Sequence, residues 1–253
     1  MRSVFPAVLA TLALASCSGP SVSVAPFIAN VGLQGDLAIT DDGGSNADSS
    51  FDDLGLGDNE AVFGGLVRFG FGGGELSISG YSVGFEGEGT VDGDLVYEGT
   101  VISANTDVAT ELDLDTARAL FTWDIIPIRG VELGIGIGAT LLDLEINIQE
   151  LGSSNRIDTD QLFPVPLIAV RAAWTWGPVE LRADAGGLVF EYDDAEAAVF
   201  DVGLSGAVDF LGIGDLVVGY KFMDIDAEYE DDATFIDADL ELSGWYGGLR
   251  FGF

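Results

Sequence analysis

Six cationic side chains occupy positions of one parity in segments where apolar and polar residues alternate. These are Arg68, Arg118, Arg171, Arg182, Lys221 and Arg250. Seven carboxylates share that parity: Asp36, Asp124, Glu132, Glu180, Asp184, Asp201 and Asp209. Side chains of a strand alternate between its two faces, so all these charges are expected on the same face. Charges gathered in a narrow interior must pair or meet water, so the chemistry that this pattern predicts is an ion network.

The sequence lacks a side chain on which many catalytic sites depend. The chain has no histidine, which removes Ser–His and Asp–His arrangements and the usual histidine–carboxylate zinc sites. Carboxylate pairs are abundant, so no single pair stands out as an acid–base couple. We therefore predict no catalytic residue and no cofactor.

The acidic excess bears on the choice of partner. The chain has 43 acidic and 9 basic residues and a formal net charge of -34, which disfavours nucleic acid because its phosphates would be repelled. Three carboxylate pairs are spaced two residues apart, as hard cations prefer: Glu86/Glu88, Asp92/Asp94 and Asp224/Asp226. None extends to a full calcium-binding loop, so we expect loose binding of divalent cations and leave the metal site undefined. Adaptation to a salty medium is the alternative explanation of the charge.

The elements that would position these residues are strands. Alternation between turn residues predicts ten of them, at 27–40, 60–71, 75–86, 111–125, 131–148, 164–176, 178–192, 196–210, 215–230 and 235–253. Short turns such as Gly72-Gly73-Gly74 lie at one end, and longer polar loops, including 41–59 and 87–110, lie at the other. Eight or twelve strands are the alternatives, since residues 91–102 could add a hairpin around Asp92-Gly93.

The alternation changes sense part-way along several strands. On the fifth predicted strand the apolar residues are odd-numbered from Val131 to Leu141 and even-numbered from Leu142 to Ile148. A tilted strand crosses the hydrocarbon of a membrane in about 9–11 residues. We therefore predict regular strands that project beyond a membrane, acidic outside and apolar inside, with a β-bulge in each strand as the alternative. The apolar interior there would comprise Leu142, Leu144, Ile146, Ile225, Leu240 and Leu242.

The amino terminus is typical of an export signal, with Arg2 followed by an apolar segment. Two cleavage patterns coexist. Residues 13–15 fit the small-x-small rule of ordinary signal peptidase, whereas Leu14-Ala15-Ser16-Cys17 resembles a lipoprotein box in which Cys17 would be acylated. We predict a signal peptide at 1–17, a short tether at 18–26 and one domain at 27–253.

The last predicted strand carries one apolar, aromatic-ended face, formed by Trp245, Leu249, Phe251 and Phe253. This strand resembles the closing strand of bacterial outer-membrane β-barrels, and the resemblance implies that the barrel-assembly machinery recognises it. With the asymmetry of turns and loops and the export signal, the chain is similar to the small non-porin barrels, the OmpA-, OmpX- and OmpW-like proteins.

The resemblance implies an all-β fold, a single antiparallel up-and-down transmembrane barrel in a bacterial outer membrane, in contact with lipid and lipopolysaccharide. Enzymes among such barrels rely on histidine, so it also implies a non-enzymatic protein. The ion network would then block the lumen, with a narrow hydrated pore as the alternative, and the protein would serve a structural or surface-interaction role. The alternative function is an OmpW-like conduit or binding site for small hydrophobic molecules in the apolar upper lumen.

Overall fold

The computed structural model describes residues 20–41, 49–57, 59–97, 100–126, 128, 130–192, 195–210, 212–231 and 234–253. Ten long strands make up most of this part of the chain. They are β1 (Ser21–Asp41), β3 (Glu60–Phe71), β4 (Gly74–Thr90), β7 (Asp107–Asp124), β8 (Val131–Glu150), β9 (Arg156–Trp176), β10 (Val179–Tyr192), β11 (Ala195–Phe210), β12 (Gly214–Asp231) and β13 (Thr234–Gly252). The short strands are β2 (Ser49–Ser50), β5 (Leu95–Tyr97) and β6 (Thr100–Ile102). None of the described residues forms a helix that could span a membrane.

The long strands form one closed antiparallel sheet. Each pairs with its neighbours in chain order, and β13 pairs back onto β1. The closure reaches the last residue, whose N–H at Phe253 donates to the carbonyl of Val22 over 2.8 Å. This up-and-down barrel confirms the predicted fold class with ten strands. Towards the turns, where every long strand pairs on both sides, closure satisfies backbone groups that lipid could not.

A hairpin forms within residues 91–102, but not around Asp92-Gly93 as predicted, and it does not add strands to the barrel. Leu95 pairs with Ile102 and Tyr97 with Thr100, in a separate two-stranded sheet whose turn lies beyond Asp92-Gly93. Leu95 and Ile102 are fully buried. The hairpin is therefore placed by packing of its apolar face rather than by hydrogen bonds to the barrel wall.

The first strand begins earlier than predicted. β1 starts at Ser21, which pairs with Gly70 of β3, and Ser23 already pairs with Gly252 of β13. Most of the described part of the predicted tether, residues 20–26, is thus strand, because both neighbouring strands extend far enough to pair with it. Residues 1–19, including the predicted signal peptide and Cys17, lie outside the described residues.

The strands are regular, as predicted. In every pairing between long strands a single register holds from one end to the other, so the described pairings contain no bulge. On β8 the even-numbered residues face inward throughout, from the buried Gly134 to the buried Ile148. The change in alternation is therefore a change in what each face carries, and the backbone does not switch faces.

An apolar band surrounds the outside of the barrel near its short turns. Its side chains include Phe63, Ile137, Ile168, Leu204 and Val218, all exposed to the surroundings. Trp123, Trp174, Trp176 and Trp245 are exposed on the same surface. An exposed apolar band with aromatic residues at its rim is the exterior that a transmembrane barrel presents to lipid.

The end with the short turns is called the turn end below, and the opposite end the loop end. At the turn end Gly72 and Gly73 join β3 to β4 with positive φ angles of 56° and 84°. Both central residues of this tight hairpin turn need that conformation, which glycine adopts at little cost.

At the loop end one connection folds back into the barrel. β3 and β4 pair only as far as Gly64 and Tyr81, so the wall between β1 and β4 opens above that level. Residues 49–57, the infolded segment, occupy this gap. Ser50 pairs with Asp36 of β1, and Thr90 N–H at the end of β4 donates to the carbonyl of Asp53. The barrel wall is thus completed by a loop where the strand is missing.

Candidate functional site in the barrel lumen

The lumen at the turn end holds a network of ion pairs that crosses the barrel. Arg171 of β9 contacts Glu75 of β4 at 3.0 Å and also pairs with Asp124 of β7. Arg182 of β10 pairs with the same Glu75 and donates to Asp184 over 2.7 and 2.8 Å. Glu75 therefore links two guanidinium groups from the opposite wall. Arginine suits such a network because its planar guanidinium group carries enough N–H donors to bind two carboxylates at once.

A second group of ion pairs lies beside the first. Arg250 of β13 donates to Glu180 over 2.6 Å and to its cross-strand neighbour Asp215 over 2.8 Å. Arg68 of β3 lies 3.7 Å from the same carboxylate of Glu180. These residues and those of the preceding paragraph are called the turn-end network. Glu132 lies at its rim, half exposed and 3.7 Å from Arg171.

Three charged residues form a separate group further from the turns, called the central triad. Arg118 of β7 and Lys221 of β12 both face Asp201 of β11, at 3.0 and 3.5 Å. Asp201 is fully buried and Arg118 is 9% exposed. The Lys221 ammonium also lies 5.3 Å from the centre of the Tyr81 ring, which adds a cation–π contact.

The structure thus brings together all six predicted cations and five of the predicted carboxylates. Asp36 and Asp209 were also predicted in this network, but neither joins it. Asp36 faces outward, because the inward residues of β1 are odd-numbered, as at the buried Leu33. Asp209 is exposed at the barrel mouth, where its carboxylate accepts the N–H of Gly212 and so caps the turn after β11.

Two carboxylates of the turn-end network, Glu75 and Asp215, were not predicted. Each is the second residue of its strand and has the same parity as inward residues such as Ser77 on β4 and Val217 on β12. That parity is a signal the sequence carries. Both residues were missed because each stood first in its predicted strand, where no alternation precedes it.

The predicted apolar residues of the loop end lie inside the barrel. Leu142, Ile146, Leu240 and Leu242 are buried, and Leu144 and Ile225 are partly buried against them. The infolded segment adds side chains that the sequence did not assign to this interior: Phe51, Leu54 and Leu56, which are only 1–2% exposed. Val91, Leu95 and Ile102 of the hairpin region belong to the same cluster. This continuous apolar cluster is called the apolar layer.

Two voids accompany these layers. A cavity of about 90 Å³ lies between the apolar layer and the charges and is lined by Arg118, Lys221 and Tyr81 as well as by Phe27 and Leu66. A second, of about 220 Å³, opens at the turn-end mouth beside Glu75 and Glu180. Arg68 and Arg250 line both voids.

The outer surface at the loop end carries carboxylates that face one another across neighbouring strands. The directly opposed pairs include Glu86/Glu111, Asp113/Glu145, Asp115/Asp143 and Asp224/Glu241. Like charges in directly opposed positions destabilise a sheet. Among the described residues, no group of three or more potential ligands is arranged to hold a metal ion.

The closed barrel can be compared with solved structures. The outer membrane protease OmpT from Escherichia coli superposes with a TM-score of 0.60 over 91% of this chain and 97% of its own, at 11% identity. The chain has the fold of an outer-membrane β-barrel. Two further solved structures match more loosely. The translocator domain of the autotransporter NalP from Neisseria meningitidis has a TM-score of 0.37, 10% identity and 88% coverage of each chain. Ail, the attachment invasion locus protein of Yersinia pestis, has a TM-score of 0.31 and 10% identity over 92% of this chain and all of its own.

No protein-family model matches this chain, and no curated protein is similar to it in sequence. At 11% identity the likeness to OmpT concerns the fold alone. A barrel of this kind supports unrelated activities, so function has to be argued from its lumen and surface.

Proposed function

We propose that this protein is a non-enzymatic barrel of the bacterial outer membrane whose lumen does not conduct and whose acidic loop end interacts with other components of the cell surface. The observation that carries the proposal is the filling of the lumen at two successive levels. Charged side chains join opposite walls near the turns, and apolar side chains pack against each other beyond them.

The charged level opposes ion flow because its groups are held by one another. The Arg171 side chain is only 3% exposed and contacts three carboxylates. Moving it aside would leave buried charges unpaired, at a cost of about 3–5 kcal/mol for a broken buried pair. Thermal motion at that cost opens the level only rarely.

The apolar level opposes ions for a different reason. Phe51, Leu54 and Leu56 fill the position of a missing strand and are buried against the barrel interior. An ion at this level would lose its water without gaining a partner, which is strongly unfavourable. Either level would therefore be enough to keep the barrel closed.

The proposed interaction role rests on the opposed carboxylates of the loop end. Pairs such as Glu86/Glu111 and Asp113/Glu145 repel each other unless cations lie between or above them. Divalent cations accept several oxygen ligands, and one ion can join a protein carboxylate to a phosphate. We therefore propose that such ions link this surface to the phosphates of lipopolysaccharide, with the terminal strand at Trp245 and Phe253 serving the barrel-assembly machinery.

The test is conductance of the refolded barrel in a planar lipid bilayer, with insertion verified separately. The unaltered protein should give no current steps. A variant with Arg118→Gln and Arg171→Gln should also stay silent, and conductance should appear only when Leu54→Ser and Leu56→Ser are added. Discrete steps from the unaltered barrel would overturn the proposal. Steps from the charge variant alone would show that the apolar layer does not seal.

A second function, the binding or passage of small apolar molecules, is favoured by one observation. The wall between β1 and β4 is closed at the loop end by the infolded segment rather than by strand pairing. The infolded segment borders the apolar layer, and Leu142→Asp or Ile225→Asp would place a charge in that layer. If this function holds, both changes abolish uptake of an apolar fluorescent probe by vesicles containing the barrel. Absence of uptake by the unaltered barrel excludes it.

A further inference from the structure

The central cavity of about 90 Å³ has walls of two different kinds. Arg118, Lys221 and Tyr81 line one side, together with the hydroxyls of Ser77 and Ser79. Apolar side chains, here called the apolar wall, make up most of the remaining lining: Ala25, Phe27, Ala29, Val31, Leu66 and Leu242. The cavity is therefore amphipathic. On a measure in which one water molecule needs about 10–15 Å³, this volume holds several water molecules, so a small organic molecule fits.

The charged side of the cavity carries a surplus of positive charge. Within the central triad, Arg118 and Lys221 share the single carboxylate of Asp201. Asp184 also lines the cavity, but both of its oxygens accept hydrogen bonds from Arg182. A buried charge without a counter-charge is costly, so one monovalent anion beside the triad would lower the free energy of the folded barrel.

The Arg118 guanidinium has donors available for such an anion. Its Nε and Nη2 atoms are buried and have no hydrogen-bond partner, since the 3.0 Å contact of Nη2 with Asp201 lacks hydrogen-bond alignment. These two nitrogens form one edge of the guanidinium plane. That edge presents two parallel N–H groups, the geometry that binds the two oxygens of a carboxylate.

We propose that the central cavity binds a short-chain monocarboxylate, such as acetate or propionate. The carboxylate is held by the Nε and Nη2 edge of Arg118, with Lys221 as the second counter-charge. The alkyl group lies against the apolar wall at Phe27 and Leu66. A monatomic anion would satisfy the charge but would leave the apolar wall and the second donor of the edge without a partner.

The route to the cavity leads from the turn end. Arg68 and Arg250 line both this cavity and the larger void at the turn-end mouth. An anion entering from that side has to pass the ion pairs of Arg68 and Arg250, so it exchanges slowly, as the turn-end network opens. The ligand can exchange without any change in the apolar layer, so binding here is independent of whether the barrel conducts.

The test is thermal unfolding of the refolded barrel in detergent micelles, titrated with sodium acetate, propionate, chloride or sulfate at matched ionic strength. Acetate and propionate should raise the unfolding midpoint to a plateau, and chloride and sulfate should not. Lys221→Met removes the surplus charge and leaves the Arg118–Asp201 pair, whereas Ala29→Leu fills the cavity without altering any charge. Both variants should lose the carboxylate effect.

The control is Arg156→Gln, which removes an exposed cation outside the lumen and should leave the effect unchanged. Three results would overturn the proposal. Chloride as effective as acetate points to a general anion site, and no response to any salt leaves only water in the cavity. A carboxylate effect that persists in both Lys221→Met and Ala29→Leu places the binding elsewhere.

Discussion

At the scale of single residues, Asp201 is the charge whose surroundings constrain it most. It is fully buried between Arg118 and Lys221, which come from different strands of the barrel wall. Ion pairs in such a position contribute little net stability compared with apolar packing, yet they are costly to break singly. Removing any one member of the central triad is therefore expected to destabilise the barrel, because it leaves a buried charge without its partner.

Replacing Asp201 by Asn should lower the free energy of unfolding by about 3–5 kcal/mol, because two buried cations lose their counter-charge. The measurement is urea unfolding of the barrel in lipid vesicles, followed by tryptophan fluorescence. Asp158→Asn is the matched control. Its pair with Arg156 is about half exposed on both sides, and such surface pairs contribute about 0–1 kcal/mol. Equal effects of the two substitutions would contradict the assignment of a buried triad.

At the scale of elements, the infolded segment replaces a strand that stops short. Its backbone lies directly on the inner face of β4, where two glycines leave room for it. A Cβ atom on Gly87 would come within 1.9 Å of the carbonyl oxygen of Gly55, and one on Gly89 equally close to that of Asp53. These contacts involve backbone atoms on both sides, so a side chain here could be accommodated only by moving the segment.

Gly89→Ala should therefore displace the infolded segment while the barrel itself stays closed. Hydrogen exchange at residues 51–57 should become faster, and limited proteolysis should cut there, while the folded barrel keeps its shifted mobility in unheated SDS gels. Gly65→Ala is the control, because a Cβ at Gly65 meets no atom within 4 Å. Unchanged exchange at 51–57 in Gly89→Ala would mean that the segment does not depend on this contact.

At the scale of the whole molecule, the arrangement of charged side chains differs between the lumen and the loop-end exterior. The lumen of the described barrel pairs its cations with carboxylates, whereas the loop-end exterior holds carboxylates opposite carboxylates. With a net charge of -34, repulsion on that exterior opposes compaction, and cations in the medium reduce it. The stability of the barrel should thus depend on the ions around it.

Magnesium or calcium should raise the unfolding midpoint more than sodium at the same ionic strength, because one divalent ion can neutralise two facing carboxylates. At low salt, Asp113→Asn should raise the free energy of unfolding by about 0.2–1 kcal/mol by removing its repulsion with Glu145. Glu60→Gln, whose cross-strand neighbour is Val31, is the control and should have no such effect. A response to divalent ions no greater than to sodium would argue against bridging cations at this surface.

The sequence was enough to predict the ten long strands and, with Asp36 as an exception, which of their side chains face inward. Alternation is a local property of an extended backbone, so Arg118 and Leu142 could be placed in the interior without knowledge of their neighbours. The regular course of β8 through the change in alternation also followed, since that change comes about as far along the strand as a membrane is thick.

Which interior residues meet follows from the closed fold. Glu75 reaches Arg171 and Arg182 across the lumen because closure brings β4 opposite β9 and β10. The infolded segment takes its place because β3 and β4 separate above Gly64, and the central cavity remains where the charged and apolar layers do not quite meet. Contacts across a lumen depend on strand order, register and side-chain reach together, and none of these is a property of a local stretch of sequence.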